Sequence, residues 1–368
     1  MEEKITLKKE NNINKRANLN YLGFNKFIGM YLIIRMHIYD NKTMPFDFGI
    51  RMCELLFVSS GFLVGYNYYQ KQMEYNLVSS IKYAYKHLRS FYPYYLFNLF
   101  YGIYLFKEHV KFNITSIELL LINLVLIANW STHRGIARFY FGISWFLNNI
   151  FYCYILSIFL LSTINNFKNS LKLFFFVSLS RVLSEEFLNR GAYNVFDTNF
   201  HCGPIIRILE FYMGMLIIPL YYRIKIQLDK FQKNVYFKLL FTIIQIMLPL
   251  LLYHLFVKYQ QILLRCYFIL ILCFYVIIIS FDYGYLSNLV SNKIFKIIMS
   301  TQLEMYLIQL NIHITFERFL GKKNNSQLIR SFIYYQKLFI IFIIAYLYRK
   351  FLRDKFANLL DKIIFLFI

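Results

Sequence analysis

The chain has 368 residues, of which 58% are hydrophobic and only 16% charged, with a mean hydropathy of +0.45. Soluble proteins carry roughly a quarter charged residues, so this composition excludes a string of solvated domains of that length. Lysine and arginine exceed aspartate and glutamate by 41 to 19, a net charge of +22, yet no soluble basic patch interleaved with aromatics is present to read nucleic acid. Cytoplasmic loops of membrane proteins collect lysine and arginine, which accounts for the excess more simply.

Apolar runs of membrane-spanning length recur along the chain and predict an all-α, polytopic transmembrane helix bundle. In chain order the runs cover 22–39, 49–69, 91–106, 141–162, 167–184, 205–222, 235–256, 262–280, 294–316 and 332–348. They imply a cytoplasmic N-terminal segment (1–21), a transmembrane domain (22–348) and a cytoplasmic C-terminal tail (349–368). An eleventh run, 114–130, contains Glu118, Asn123 and Asn129 and is only marginally long. With ten spans both termini share a side. The loops on that side, with Lys168 counted at the edge of its span, hold 20 lysines and arginines against 11 opposite. If 114–130 also crosses, the contrast falls to 17 against 14. The positive-inside rule therefore favours ten spans in a multi-pass protein of the cell membrane, both termini cytoplasmic, with 107–140 external or re-entrant and 185–204 an external loop. Cys53, Cys153, Cys202, Cys266 and Cys273 show no metal-ligand spacing, and no metal site is expected.

The first span carries Lys26 and His37. Eleven residues is close to three helical turns, so they share a face about 16 Å apart along the axis. Intramembrane ionisable residues are functional candidates. The alternatives are a snorkelling lysine and a hydrogen-bonded packing histidine. The short 40–48 connection makes spans one and two antiparallel neighbours. Glu54, about one and a half turns into the second span, is expected to match His37 in depth. A carboxylate there would orient the imidazole as a general base. Gly61 permits close helix approach, and Ser60 precedes it.

Lys26-x10-His37 followed by Glu54-Leu-Leu-Phe-Val-Ser-Ser60-Gly61-Phe62 resembles the opening of the acyltransferase-3 family of integral membrane O-acyltransferases. Lys82, Lys86, His87 and Arg89 before Pro93-Tyr94-Tyr95 resemble that family's basic stretch and proline-aromatic segment. Trp145-Phe146-Leu147 resembles its tryptophan-containing span, and Tyr306-Leu307-Ile308-Gln309 its late tyrosine-leucine-x-histidine segment. Lys26 stands where the family usually has arginine, and Gln309 where it has histidine.

The resemblance implies transfer of an acyl group, most simply acetyl, from cytoplasmic acyl-coenzyme A to a hydroxyl of a cell-surface polysaccharide or its lipid-linked precursor in a bacterial envelope. It implies His37 and Glu54 as catalytic residues, and Lys26, Ser60, Arg89, Trp145, Tyr306 and Gln309 as donor- or substrate-binding. The partners are then acyl-coenzyme A as a passing donor, a glycan acceptor and membrane lipids, with no permanently bound cofactor and no nucleic acid. The competing reading is a glycan-pathway flippase, exporter or polymerase, which would show several intramembrane charges lining a cavity.

Overall fold

A computed structural model describes residues 19–38, 46–69, 76–105, 114–130, 144–164, 166–191, 203–258, 262–320 and 327–365. Among the described residues the protein is all-helical, with no strand. Each of the ten expected runs coincides with a helix or a pair of consecutive helices. These are α1 (Asn20–Ile38), α2 (Phe46–Tyr68), α4 (Tyr92–Leu105), α6 (Trp145–Ser162), α7 (Phe167–Gly191), α8 and α9 (Pro204–Leu216, Ile218–Leu228), α10 (Val235–Lys258), α11 (Ile262–Ile279), α13 and α14 (Lys293–Ser300, Gln302–Leu320) and α15 (Gln327–Leu347). Among the described residues four stretches, Trp145–Ser162, Pro204–Phe231, Val235–Leu255 and Ser331–Lys362, are long and apolar enough to cross a membrane. Between the expected spans lie α3 (Leu77–Leu88), α5 (Ile114–Leu124) and the six-residue α12 (Tyr285–Val290).

Polarity is distributed as a lipid solvent requires. Leu239, Ile243, Ile246 and Leu250 on α10 are exposed, as are Phe332, Tyr335 and Phe339 on α15. Their spacing of three, four or seven residues makes continuous apolar stripes. Asn98, Asn148, Asn149, Arg181, Arg207, Glu210 and Gln309 are buried instead.

The eleventh run holds only a short helix. The eleven residues of α5 span about 16 Å, against a hydrocarbon core of roughly 30 Å. Leu126 then takes the left-handed conformation (φ 61°), and a single 3-10 turn follows at Ala128–Trp130. The Tyr92 and Tyr95 hydroxyls donate to the carbonyls of Leu124 (2.6 Å) and Asn123 (2.9 Å), lashing the end of α5 to the first turn of α4. Most of the expected external loop at 185–204 lies outside the described residues, although α7 continues to Gly191.

Two helix contacts position the centre of the bundle. Helices α1 and α2 run antiparallel: Lys26 meets Ser60, Gly29 faces Met52 and Leu55, and Gly49 faces Met36. Helices α2 and α8 cross backbone to backbone. A Cβ added at Gly61 would lie 1.8 Å from the Phe211 carbonyl oxygen, and one at Gly214 2.0 Å from that of Val58. Only glycine permits this approach, which fits the expectation for Gly61. Pro219 sits in the first turn of α9, where its missing N–H costs nothing, and marks the joint with α8.

The segment expected as a C-terminal tail is helical. Helix α15 runs through a π-helical turn, Tyr348–Leu352, into α16 (Arg353–Phe365). Asp361 of α16 accepts from the Tyr85 hydroxyl (2.6 Å) and pairs with Arg89, while Arg353 donates to Ser90 Oγ (3.1 Å). Helix α16 is thereby fixed against α3 and the start of α4. At the same end of the bundle, Asp282, in the turn after α11, accepts from the backbone N–H groups of Asn20 and Tyr21. It caps α1 from 262 residues away.

Candidate functional site

A cavity of about 300 Å³ opens at the end of the bundle where α1 begins and α15 ends. Its polar wall carries Lys26, Ser60, His87, Gln302, Arg349 and Arg353; Met30, Leu56, Phe146 and Ile150 contribute apolar wall. Lys26 Nζ donates to Ser60 Oγ at 3.2 Å, and Ser60 in turn donates to the Leu56 carbonyl at 2.7 Å. Lys26 pairs with no carboxylate among the described residues. The structure thus brings together two of the expected donor-site residues, Lys26 and Ser60.

The other wall cations were not anticipated from the sequence. Arg349 donates to the Ser300 carbonyl and to Glu304 Oε1 (3.1 Å), a buried carboxylate set behind the wall. Arg353 lies over the Phe91 ring, 5.0 Å from its centroid. The His87 ring packs between Tyr83 and Tyr154, at centroid distances of 4.6 and 4.8 Å. Burial, and then the charge of Lys86, push the His87 imidazole below its ordinary value, so it sits neutral in the wall at pH 7.

The remaining expected donor-site residues do not line this cavity. Arg89 is paired with Asp361 and does not line the cavity, because α16 folds back beneath α3. Lys82 and Lys86 face outward. Trp145 is buried, with its ring against Phe57 (6.4 Å) and the Arg207 guanidinium 5.5 Å from its centroid. Tyr306 is buried against Phe146 (5.4 Å). Both pack the wall from behind rather than line it.

The expected His37–Glu54 pair does not form. The α1–α2 register that matches Lys26 with Ser60 and Met36 with Gly49 sets Glu54 near the level of Tyr31. That is six residues, or about 9 Å along the axis, from His37. The groups acting on His37 are Gln309 and His313 of α14. Gln309 faces the imidazole, but no well-formed hydrogen bond joins them. His37 Nδ1 and both Gln309 amide atoms are buried without a hydrogen-bond partner among the described residues. Gln309 therefore belongs with His37, not with the cavity. Beyond it, His313 Nδ1 lies 3.0 Å from Lys337 Nζ, which donates to Glu317 at 2.8 Å.

Glu54 belongs to a buried ionic network that the sequence reading missed. Its Oε1 accepts from Arg51 Nη1 (2.5 Å) and from Arg181 Nη2 of α7 (3.0 Å). Arg181 also reaches Glu210 of α8 (2.9 Å), and Glu210 binds Arg207 (2.5 Å). All five side chains are buried. The signal was present in the sequence, since Arg181 and the Arg207–Glu210 pair interrupt apolar runs. The network ties α2, α7 and α8 together, and removing one member of such a pair strands a charge at a cost of about 3–5 kcal/mol.

Comparison with protein-family models, curated proteins and solved structures finds no match for this chain. The class that the fold and composition define is a protein that is all-helical among its described residues, four stretches of which are long and apolar enough to cross a membrane.

Proposed function

We propose that the protein is a membrane O-acyltransferase that moves an acyl group, most simply acetyl, from acyl-coenzyme A to a hydroxyl of a cell-surface polysaccharide or its lipid-linked precursor. In this reading the ten helical runs cross the cell membrane, both chain ends are cytoplasmic, and the donor enters the cavity from that side. The observation that carries it is the cavity itself, where a carboxylate-free cationic wall stands above an apolar one. That combination suits a ligand with an anionic head and a long, less polar arm.

His37 is the proposed general base. It lies about 16 Å further along α1 than Lys26, with a buried ring nitrogen and an unpartnered amide beside it. An acceptor hydroxyl placed between His37 and Gln309 would give its proton to the imidazole as it attacks the thioester carbonyl. As the carbon–sulfur bond breaks, the imidazolium would pass that proton to the departing sulfur, and coenzyme A would leave as the free thiol towards the cytoplasmic end. Glu54 takes no part in this chemistry, because its carboxylate is held by arginines.

The buried charges of α2, α7 and α8 are the observation that favours a flippase, exporter or polymerase, since transport paths are lined by such groups. Here they bind one another and none lines the cavity, which favours acyl transfer. Purified protein incubated with radiolabelled acetyl-coenzyme A and a panel of envelope polysaccharides should label a glycan in an alkali-labile ester. Absence of labelled glycan, together with glycan movement across a vesicle membrane, would establish the transport reading instead.

A further inference from the structure

The cavity takes two of its cations from the junction of α15 with α16. Arg349 lies in the π-helical turn Tyr348–Leu352 and Arg353 immediately follows it. Four residues apart, both side chains line the same cavity as Lys26. Single π turns inside helices recur at functional sites, where they re-aim side chains. This one lies at the junction of α15 with α16, which is held against α3 and α4 by the Asp361 and Arg353 contacts.

Two features indicate that the wall awaits a ligand. Among the described residues no carboxylate lines the cavity; Glu304, set behind the wall, pairs directly with Arg349 and acts on Arg353 only through its field, so three wall cations face a single buried carboxylate. In addition, Arg353 Nε is a buried donor with no partner among the described residues. A buried guanidinium N–H left unpaired is costly, and a bridging anion would satisfy it. Arginines bind phosphate oxygens through paired N–H groups, while a lysine supplies a point charge. Three cations around one cavity suit two linked phosphates better than one.

We propose that Arg349 and Arg353, together with Lys26, form a binding site for the diphosphate of a ligand whose elongated arm lies along Met30, Leu56 and Phe146. The C-terminal element, rather than the basic stretch 82–89, then selects this ligand. Identifying the ligand as acyl-coenzyme A rests on the acyl-transfer reading above; the diphosphate site does not. The same chemistry occurs in the headgroup of a polyprenyl-diphosphate glycan carrier, so the test includes both sources.

The experiment measures binding to the purified full-length protein in nanodiscs, with coenzyme A, inorganic diphosphate and a polyprenyl diphosphate as probes. The variants are Arg353→Gln and the pair Arg349→Gln with Glu304→Gln, which removes the cation without stranding the buried carboxylate. Each variant should weaken coenzyme A binding by about tenfold or more, as expected for losing a charge-assisted contact. Arg353→Lys should recover part of the loss, and inorganic diphosphate should compete with coenzyme A for the wild type. If only the polyprenyl diphosphate binds, and both variants lose it, the diphosphate site stands and the acyl-coenzyme A reading fails. Unchanged affinity for the bound probe in both variants, or no binding of any probe to the wild type, would overturn the proposal.

Discussion

Gly61→Ala adds one methyl group at the point where α2 meets α8. The new Cβ would lie 1.8 Å from the Phe211 carbonyl oxygen and 2.7 Å from its carbon, whereas real Cβ contacts are essentially never under 3.0 Å. The obstacle is backbone, so no rotamer change relieves it, and the helices must separate by about 1.2 Å or more. The Glu54–Arg181–Glu210 network spans the same two helices through contacts of 2.9–3.0 Å, so it loosens as they part. Overpacking costs typically 1–3 kcal/mol, and with the network disturbed a loss of about 3 kcal/mol or more is expected. Gly65→Ala should cost less, because its 2.7 Å obstacle is a side-chain atom, Ile218 Cγ1, and the nearest backbone, that of Met215, is 3.4 Å away. Gly23→Ala should be neutral or stabilising: its nearest neighbour, Met299 Sδ, is at an ordinary 3.7 Å, and alanine is favoured over glycine within a helix by up to about 1 kcal/mol. Thermal unfolding in detergent, followed by size-exclusion fluorescence, should rank the three as Gly61, then Gly65, then Gly23. A Gly61→Ala protein as stable as the wild type would refute the backbone contact.

Three further outcomes separate structural from chemical roles. Glu54→Gln should lower the melting temperature strongly, by removing the buried carboxylate that Arg51 and Arg181 share, while His37→Ala should change it much less; equal melting temperatures would contradict the network assignment. Arg89→Gln should leave the KM for the acyl donor unaltered, since Arg89 is engaged by Asp361 outside the cavity, and a several-fold rise would restore it to the donor site. Burial raises the Asp282 carboxyl to about 6, so the unfolded chain releases this proton near its ordinary value of about 4 while the folded protein still holds it. Stability should therefore fall by about 2–3 kcal/mol as pH rises from roughly 4 to 6 and then level off. Melting temperatures measured across that range should lose this slope in Asp282→Asn, and the same slope in both proteins would contradict the assignment.

Local pattern carried most of the helices. Every apolar run expected to span is helical, Gly61 lies at a close crossing, and Lys26 and Ser60 meet as the short α1–α2 connection implies. What the pattern could not supply was register between helices. Depth counted from the helix ends put Glu54 level with His37, but side-chain packing sets the α1–α2 offset, and six residues of slip turned an expected dyad into an ion-network member. Arg349 and Arg353 were hidden for a related reason. A polar run at the end of a chain reads as a solvated tail, and only the fold brings it to residues more than 250 positions earlier. Arg181, Arg207 and Glu210 were legible in principle, as charges within apolar runs, although their mutual pairing was not.

The central claim is that one bundle binds a coenzyme thioester at the Lys26 end of α1 and activates an acceptor hydroxyl at the His37 end. The most direct measurement is single-turnover transfer from radiolabelled acetyl-coenzyme A to glycan, using wild-type and His37→Ala protein of matched thermal stability in proteoliposomes. The wild type should acylate the glycan, and His37→Ala should bind the donor with unchanged affinity while transferring about 10²–10⁴-fold more slowly. Transfer by His37→Ala at the wild-type rate would contradict the account.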